Sequence, residues 1–429
     1  MMTDSQERHA QVVGAGFVGL ACALALQRRG WRVSVYEGSA FQEAASFGNA
    51  GHIATEQIAP LASWANVRRL PRALFSLGGP AAFPASQYSA WLPFGLRLLA
   101  SSHAARLSSA IQCNRALLGA ALPSWQALLQ HAGASHLLST LGHDIVWESQ
   151  VSAQRGLQAW LQADVGSCKV QPLADSRLQQ LRACFGGKAY AGASVQGSAQ
   201  ITDLGAAHQA LQAHFIALGG QWQSTAVARV ERNGQSAQLR LADGSAAPPA
   251  QRIVVAAGVH SASLLADTFG NFPLISERGY HLQTQGWPNA SGAPATLNRP
   301  VVFEDRSLIF TPYAHGLRMA SFTEFGHAAA APDPRKWQRL RQHAQALGWQ
   351  APMATATEWS GSRPTLPDYM PAIGASMSTP NLLVAFGHNH LGLTLAARTA
   401  ELVAQLAQGK ALEPSMQAVL APQRYLPKF

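Results

Sequence analysis

The pattern of apolar and polar residues predicts a strand–helix–strand unit at the start of the chain. A short apolar run ends at Val13 and is typical of a buried strand, and apolar residues then recur at helical spacing over residues 17–25. Gly30 ends this predicted helix. A second strand-like run follows and finishes on an acidic residue, Glu37. Alternation of this kind is the basic unit of an α/β fold.

Three further regions show regular patterns. A predicted helix over residues 204–218 leads into a three-stranded meander, whose strands are separated by Asn-Gly and Asp-Gly turns. Several short β-like runs with alternating aromatic residues lie within residues 276–325 and predict an antiparallel sheet. Near the end of the chain, a strand over 382–386, a glycine-rich loop and a helix over 394–406 repeat the opening pattern.

The segment 61–106 has a different character, because aromatic and aliphatic residues alternate with arginines. Pro71, Pro84 and Pro93 divide it into short pieces, so no helix in it is expected to span a membrane. Two interpretations stay open, namely an ordinary helical insertion with exposed arginines and an amphipathic surface that contacts a membrane.

These patterns predict an α/β fold, α+β overall, with two domains. A Rossmann-like domain with a meander comprises residues 1–58, 196–275 and 356–429. A substrate domain with an antiparallel sheet and the helical insertion comprises residues 59–195 and 276–355.

The first predicted helix carries a phosphate-binding signature. Gly14, Gly16 and Gly19 have the spacing G-x-G-x-x-G, and Phe17 and Val18 begin the helix behind them. Such a loop brings backbone amides and a positive helix end to a pyrophosphate. The acidic residue Glu37 ends the next strand, at the position that accepts ribose hydroxyls. The sequence therefore predicts a dinucleotide site, and this unit alone does not distinguish NAD(P) from FAD.

Composition narrows the choice of partners. Lys and Arg total 32 against 22 Asp and Glu, an excess that favours a membrane surface or an acidic substrate. No dense basic block with interleaved aromatic residues is present, so we expect no nucleic acid partner. The four cysteines are scattered, and no Cys or His cluster has metal-ligand spacing, so we expect neither a disulfide framework nor a metal site. We expect a cytoplasmic protein, peripheral to the inner membrane if the segment 61–106 contacts one.

Six motifs in chain order together resemble the D-amino-acid-oxidase-like family of FAD-dependent oxidoreductases, in particular the small-subunit type of bacterial D-amino-acid dehydrogenase, including D-hydroxyproline dehydrogenases. The motifs are VVGAGFVGLACALALQRRGWRVSVYE, ASFGNAGHI, RIVVAAGVHS, ERGYHL, SGSRPTLPDYMPAIG and FGHNHLGLTLA.

The resemblance implies FAD as the cofactor and assigns residues to its site. The predicted cofactor-binding residues outside the first helix unit are Ser46, Asn49, Ala50, Gly51, His52, Val227, Ala257, Gly258, Gly361, Gly387, His388, Leu391, Gly392, Leu393 and Thr394. It also implies that Arg363 binds the substrate carboxylate, which agrees with the bidentate geometry of a guanidinium. The other residues that it places at the catalytic centre are Tyr280, His281, Tyr313 and His390.

The reaction implied by the resemblance is oxidative deamination of a D-amino acid, proline-like ones included. A hydride passes from the substrate Cα to flavin N5, and the electrons pass to a quinone or another carrier. Two alternatives stay open: a glycine or sarcosine-type amine oxidase that uses oxygen, and an NAD(P)-binding Rossmann dehydrogenase or non-catalytic sensor.

Overall fold

The computed structural model describes residues 8–285, 297–349 and 353–425. These residues contain twenty strands and twelve α-helices. The strands are β1 His9–Val13, β2 Arg32–Tyr36, β3 His52–Ile53, β4 Ala81–Ala82, β5 Leu138–Ser139, β6 His143–Trp147, β7 Lys169–Pro172, β8 Ala191–Gln196, β9 Ala199–Ile201, β10 Gln221–Gln223, β11 Val227–Asn233, β12 Ser236–Leu241, β13 Arg252–Val255, β14 Ile275–Gln285, β15 Val301–Phe303, β16 Leu308–Tyr313, β17 Gly316–Gly326, β18 Thr357–Thr365, β19 Ala372–Ala375 and β20 Leu382–Phe386.

The helices are α1 Phe17–Gln27, α2 Trp64–Ala73, α3 Tyr88–Ser101, α4 Ala104–His131, α5 Gln150–Gln162, α6 Asp175–Cys184, α7 Leu204–Ala217, α8 Ser261–Leu264, α9 Ala266–Phe269, α10 Arg335–Ala346, α11 Gly392–Ala407 and α12 Pro414–Leu420.

A six-stranded sheet in the order β10-β2-β1-β13-β20-β19 forms the centre of the nucleotide-binding domain. Every neighbouring pair is parallel except β19 and β20. The chain runs outward from β1 in both directions, so β1 lies at the topological switch point where α/β sheets bind ligands. The predicted strand–helix–strand unit is confirmed here as β1, α1 and β2.

Two layers cover this sheet, and alternating residues of each strand enter different cores. Val12 and Val254 pack in one cluster with the buried residues of α1 and α11. Val13 and Val255 pack on the other face with Val230 of the β11–β12 hairpin. Because both faces are covered, β20 is apolar along its whole length and β13 is apolar after Arg252.

The predicted meander takes a different form in the structure. The first predicted strand, over residues 222–230, is divided between β10, which pairs with β2, and β11, which forms a separate hairpin with β12. The third predicted strand, β13, pairs in parallel with β1 instead. The continuous apolar run of β13 suits a strand that is buried on both faces. This explains why β13 lies inside the six-stranded sheet and not at the end of a meander.

A nine-stranded sheet lies largely within the predicted substrate domain, in the order β18-β14-β17-β16-β15-β6-β8-β7, with β4 paired to β17. Its middle is antiparallel, as the alternating pattern of residues 276–325 predicts. The edge strand β18 lies beyond residue 356, where the sequence places the return to the nucleotide-binding domain. β18 is thus the edge strand of the nine-stranded sheet, and it carries Arg363.

The segment 61–106 folds as α2, α3 and the start of α4. Tyr88, Leu92 and Leu96 follow one another at helical spacing on α3 and are 63%, 48% and 62% exposed. In the part of the chain that the structure describes, no helix is both long enough and apolar enough to cross a bilayer.

Candidate active site

The glycine-rich loop lies where the carboxyl ends of β1 and β13 meet. Gly14 has a φ of 95°, and a Cβ there would lie 2.7 Å from the carbonyl oxygen of Ala256. A Cβ on Gly19 would lie 1.9 Å from the Gly14 carbonyl oxygen. Both positions therefore require glycine, which lets α1 pack closely on the strand ends. Ala257 also borders this loop, because its Cα is 2.8 Å from the same Gly14 Cβ position.

The acidic residue at the end of β2 turns toward the same loop. Glu37 Oε2 accepts a hydrogen bond from the backbone N–H of Ala15 at 2.8 Å, and its Oε1 accepts one from Ser39 N–H at 3.0 Å. The first turn of α1 holds no acidic residue, and its N-cap residue, Gly16, makes no side-chain cap. The helix end is therefore open to an anion, with a carboxylate beside it.

The loop 46–51 joins α1 to the substrate domain. Ser46 Oγ accepts a hydrogen bond from Phe17 N–H at 3.3 Å. Asn49 Oδ1 accepts one from Gly51 N–H at 2.8 Å, which closes a tight turn with a φ of 72° at Gly51. The Asn49 carbonyl accepts a hydrogen bond from the Tyr313 hydroxyl at 3.0 Å. Ala50 lies within this turn, so the predicted loop and Tyr313 are brought together.

One face of the β14–β18 pair looks toward this loop. Since side chains alternate along a strand, Glu277, Gly279 and His281 share that face, opposite Arg363, Gly361 and Trp359 in register. His281 Nδ1 lies 3.1 Å from the Gly48 carbonyl oxygen, and its ring stacks on Trp359 with centroids 5.0 Å apart.

Tyr280 lies on the other face of β14. Its hydroxyl donates to Glu324 Oε1 at 2.9 Å and accepts from Asp333 N–H at 3.0 Å. Burial raises the pKa of this hydroxyl to about 12. The side chain belongs to the substrate-domain core, so the structure does not bring Tyr280 together with Arg363.

Arg363 lies flat over the backbone of Gly279. A Cβ at position 279 would be only 2.3 Å from Arg363 Nη2, so glycine there makes room for the guanidinium. Arg363 Nη1 is 3.8 Å from Glu277 Oε1, and the arginine side chain remains 30% exposed. This exposed part leaves the guanidinium free to take a second carboxylate.

Glu277 is held beneath Arg363 by two hydroxyl groups. Thr365 Oγ1 donates to Glu277 Oε2 at 2.8 Å, and the Tyr369 hydroxyl also hydrogen bonds to Glu277. Burial raises the pKa of Glu277, and the nearby Arg363 charge opposes part of that rise. The Glu277 carboxylate thus holds the Arg363 guanidinium in position without fully neutralising its charge.

The final glycine-rich loop closes the site from the side of β20 and α11. Ala54 N–H donates to Thr394 Oγ1 at 2.9 Å. This hydrogen bond connects the first turn of α11 to the chain that follows the loop 46–51. His388 Nε2 lies 2.9 Å from Thr399 Oγ1, and His390 Nε2 lies 2.7 Å from Gln57 Oε1. Burial lowers the pKa of both histidines to about 3, so both rings are neutral.

Other predicted loop residues occupy the expected elements. Gly387 has a φ of 80°, Leu391 and Leu393 are buried, and Gly392 begins α11. Gly258 has a φ of 57° and follows Ala257 at the end of β13. Val227 begins β11, and a Cβ on Gly38 would touch the adjacent Ala226, so the hairpin borders the chain after Glu37.

A cavity of about 600 Å³ opens beside the loop 46–51. Phe47, Asp203, Gln283, Tyr313 and Arg318 are among the residues that line it. Arg318 donates to the carbonyl oxygens of Phe47 and Asn49, so a buried cation holds this loop against the sheet.

The comparison with protein families identifies this architecture. The model of the FAD dependent oxidoreductase family matches residues 10–406. The chain belongs to that family.

Relatives of the chain within the FAD dependent oxidoreductase family match over nearly their full lengths. A protein named D-amino-acid oxidase from Bradyrhizobium diazoefficiens is 30% identical, over 98% of this chain and 99% of the relative. D-amino acid dehydrogenase 2 from Ralstonia nicotianae is 28% identical, over 92% of this chain and 95% of the relative.

Solved structures share the fold at low identity. Glycine oxidase from Geobacillus kaustophilus superposes with a TM-score of 0.70 at 19% identity, over 98% of this chain and all of that chain. L-proline dehydrogenase from P.horikoshii gives a TM-score of 0.68 at 15% identity, over 98% of both chains.

The residues present fit the FAD that defines the family. The glycine loop, the start of α1 behind Gly16 and Glu37 provide the amides and the carboxylate that an adenosine diphosphate group needs. Gly14 and Gly16 would hold the pyrophosphate, and Glu37 would hold the ribose. The predicted FAD cofactor is confirmed, and the interpretation as an NAD(P) protein is excluded.

Sequence reasoning overlooked several residues of the site. Glu277 and Trp359 meet Arg363 and His281 only through the register of β14 and β18. Gln57 meets His390 across the chain. The alternation within ERGYHL was the one available signal, since it puts Glu277 and His281 on one face and Tyr280 on the other.

Proposed function

We propose that the chain is an FAD-dependent enzyme that oxidises D-amino acids at the carbon that bears the amine. The partly exposed Arg363 guanidinium carries the proposal, since it lies over Gly279 on the sheet face that looks toward the loop 46–51. The names of the relatives from Bradyrhizobium diazoefficiens and Ralstonia nicotianae support D-amino acids as the substrate class.

The chain's own residues position the substrate. Arg363 binds its carboxylate through a bidentate pair, and Glu277 holds the guanidinium in place from below. FAD, when bound, supplies the acceptor for the hydride that leaves the substrate Cα. The neutral substrate amine provides the electron pair that replaces this bond, so no protein base is required at Cα. Water then converts the imino acid to a keto acid and ammonia, whereas a proline-like substrate leaves a cyclic imine.

His281, Tyr313 and His390 have supporting roles in this proposal. His281 and Tyr313 hold the loop 46–51 through the carbonyl oxygens of Gly48 and Asn49. His390 is half-buried and neutral, since desolvation lowers its pKa and the Arg363 charge lowers it further. Its Nδ1 has no hydrogen-bond partner among the described residues, so we assign this nitrogen to the substrate.

We propose a quinone or another carrier as the electron acceptor, in line with the relatives named dehydrogenases. The relative named an oxidase makes oxygen the second candidate. Peroxide formation measured beside reduction of a soluble quinone separates the two. A peroxide yield equal to substrate turnover would establish oxygen as the acceptor.

We also propose that the α2–α3 surface contacts an anionic membrane. Tyr88, Leu92 and Leu96 form an exposed apolar row on α3, and Arg97 is exposed beside it. No acidic residue occurs between Glu56 and Asp144, so this part of the chain carries only positive charge. Apolar side chains together with basic ones are the composition of interfacial helices.

The substrate assignment is tested by Arg363→Lys and Arg363→Ala. Losing the bidentate pair removes about 2–4 kcal/mol of binding, so we expect KM for D-amino acids to rise about 30-fold to 1,000-fold. FAD should stay bound in both variants. Arg341→Ala is the matched control, because Arg341 pairs with Glu358 on the outer surface. An unchanged KM in Arg363→Ala would refute the assignment.

A further inference from the structure

Three potential metal ligands from two distant parts of the chain meet at the junction of the two domains. His52 and Glu56 follow the loop 46–51, and His143 begins β6 of the large sheet. One ligand atom from each residue lies within 4.8 Å of the other two. His52 Nε2 is 3.8 Å from Glu56 Oε2, and the two imidazole rings have centroids 4.4 Å apart.

Two of these ligand atoms are buried without a hydrogen-bond partner in the part of the chain that the structure describes. They are His52 Nε2 and Glu56 Oε2. Glu56 is only 4% exposed and pairs with no arginine or lysine among the described residues. A buried polar atom without a partner costs about 1–3 kcal/mol, and a charged one costs more. A group that occupies the space between these atoms would remove that cost.

The third ligand is already oriented by a neighbour. His143 Nδ1 lies 2.8 Å from the Ser198 hydroxyl oxygen, which leaves Nε2 as the nitrogen for a ligand. Metal-binding histidines are typically held in this way through their second ring nitrogen. Burial also lowers the pKa of both imidazoles, to about 4 for His52 and further for His143. Both rings are therefore neutral, which is the form that binds a metal.

We propose that His52, Glu56 and His143 bind a divalent transition-metal ion of the Zn²⁺ class. Two imidazole nitrogens and one carboxylate oxygen are a ligand set that Zn²⁺ prefers, with a fourth position open to water or a small ligand. Ligands at Zn²⁺ bonding distance stand about 3.4 Å apart in a tetrahedron, so each atom needs to move by no more than about 1 Å.

The charges around the cluster suit a cation. Burial raises the pKa of Glu56 to about 7, and no Lys or Arg of the described residues forms an ion pair with it. The charge of Arg299 acts on His143 and contributes to the lowering of its pKa. Arg299 Nη2 forms an ion pair with Asp144 Oδ1 at 2.7 Å, and that pair neutralises it. The carboxylate of Glu56 is thus left for the metal ion.

This cluster of ligands could not be predicted from the sequence. His52 and Glu56 are four residues apart, whereas His143 comes much later, so the histidines have no motif spacing. None of its ligands is a residue that we propose to hold the substrate carboxylate. The inference therefore does not depend on the proposed substrate.

The test is a calorimetric titration of the FAD-loaded protein with Zn²⁺ after dialysis against a chelator. We expect one Zn²⁺ per chain, bound at least about 100-fold more weakly in Glu56→Gln and His143→Gln. Ser198→Ala should weaken binding by about 10–100-fold, since it releases the His143 ring. Glu358→Gln and His136→Gln, at exposed positions, are the controls. The flavin content of each variant shows that it is folded.

Two results would overturn the proposal. One is the absence of Zn²⁺ binding by the unaltered protein. The other is equal affinity in the unaltered protein, Glu56→Gln and His143→Gln, which would place the ion elsewhere on the surface. If a variant fails to fold, X-ray absorption at the zinc edge of the unaltered protein decides, because two imidazoles and one carboxylate must appear around the metal.

Discussion

At the scale of single residues, the buried carboxylate beneath Arg363 has the clearest consequence. Glu277 faces the guanidinium on one side, and we propose that the substrate carboxylate takes the other. The two carboxylates compete for one positive charge. Burial raises the pKa of Glu277, so its ionisation occurs above the usual range for a glutamate.

This competition predicts a pH dependence of carboxylate binding. Protonated Glu277 leaves the full Arg363 charge to a ligand, so we expect affinity to fall as the pH rises through the Glu277 pKa. Propionate is the probe, since it lacks an amine that titrates and is ionised above pH 6, and its inhibition constant is measured between pH 6 and 8. In Glu277→Gln the trend should disappear. The surface variant Glu358→Gln should keep it, and a pH trend that survives in Glu277→Gln contradicts this account.

Residue roles could be predicted from the sequence only where a motif fixed them. Arg363 could be assigned to the substrate carboxylate because it lies in the motif SGSRP. Glu277 and Trp359 lie near it only because of the strand register, which no local pattern reveals. Tyr280 and His281 were both assigned to the catalytic centre. Neighbouring residues of a strand, however, point to opposite faces of the sheet. Tyr280 consequently lies in the core, and His281 lies beside Gly48.

At the scale of elements, the start of α1 is the anchor for FAD. A Cβ on Gly16 would lie 3.1 Å from Ser46 Oγ, so a branched side chain there would fill the helix end. We expect Gly16→Val to lose FAD during purification, seen as a fall in the ratio of visible to ultraviolet absorbance. Gly119→Val is the control, because a Cβ at that helical position meets no atom within 4 Å. Full flavin content in Gly16→Val would show that the cofactor does not occupy this helix end.

The α2–α3 surface gives a second prediction at this scale. We expect the protein to co-sediment with anionic vesicles at low salt and to be released as salt screens the arginines. Leu92→Asp should reduce the bound fraction several-fold, since it puts a negative charge into the exposed apolar row. Val151→Asp, at an exposed site on α5, is the matched control. If the unaltered protein does not bind the vesicles, the proposed membrane contact is wrong.

Elements with strong local patterns were predicted well, and the connections between them were not. The unit β1–α1–β2 and the final strand and helix follow directly from apolar periodicity. The partner of β13 could not be predicted, because a buried apolar strand fits a meander and a parallel sheet equally well. The pairing of β18 with β14 could not be predicted either, because no local pattern reveals which sheet an edge strand joins.

At the scale of the whole molecule, buried neutral histidines predict sensitivity to acid. Burial lowers the pKa of eight histidines, and it lowers six of them strongly: His52, His143, His281, His343, His388 and His390. The unfolded chain protonates them near pH 6.5, whereas the folded chain does not. The unfolded state therefore binds more protons between about pH 4 and 6.5, and stability falls on acidification.

Each such histidine contributes about 1.4 kcal/mol per pH unit to this loss of stability. Glu56 acts in the opposite sense, because its pKa is raised to about 7 in the folded chain. The free energy of urea unfolding, measured with chelator present from pH 7 to pH 5, should fall steeply. His388→Gln should give a shallower slope and His136→Gln the same slope as the unaltered protein. A flat profile would contradict the buried, neutral state of these rings.

Reduction of the bound flavin by substrate, measured without oxygen, tests the central claim most directly. The claim is that this chain holds a D-amino acid by Arg363 and removes a hydride from it. We predict that a D-amino acid bleaches the visible absorbance of the oxidised flavin within the turnover time, that its L-enantiomer does not, and that Arg363→Ala needs far more substrate for the same rate. Bleaching by both enantiomers alike, or by none of a full set of D-amino acids, would contradict the account.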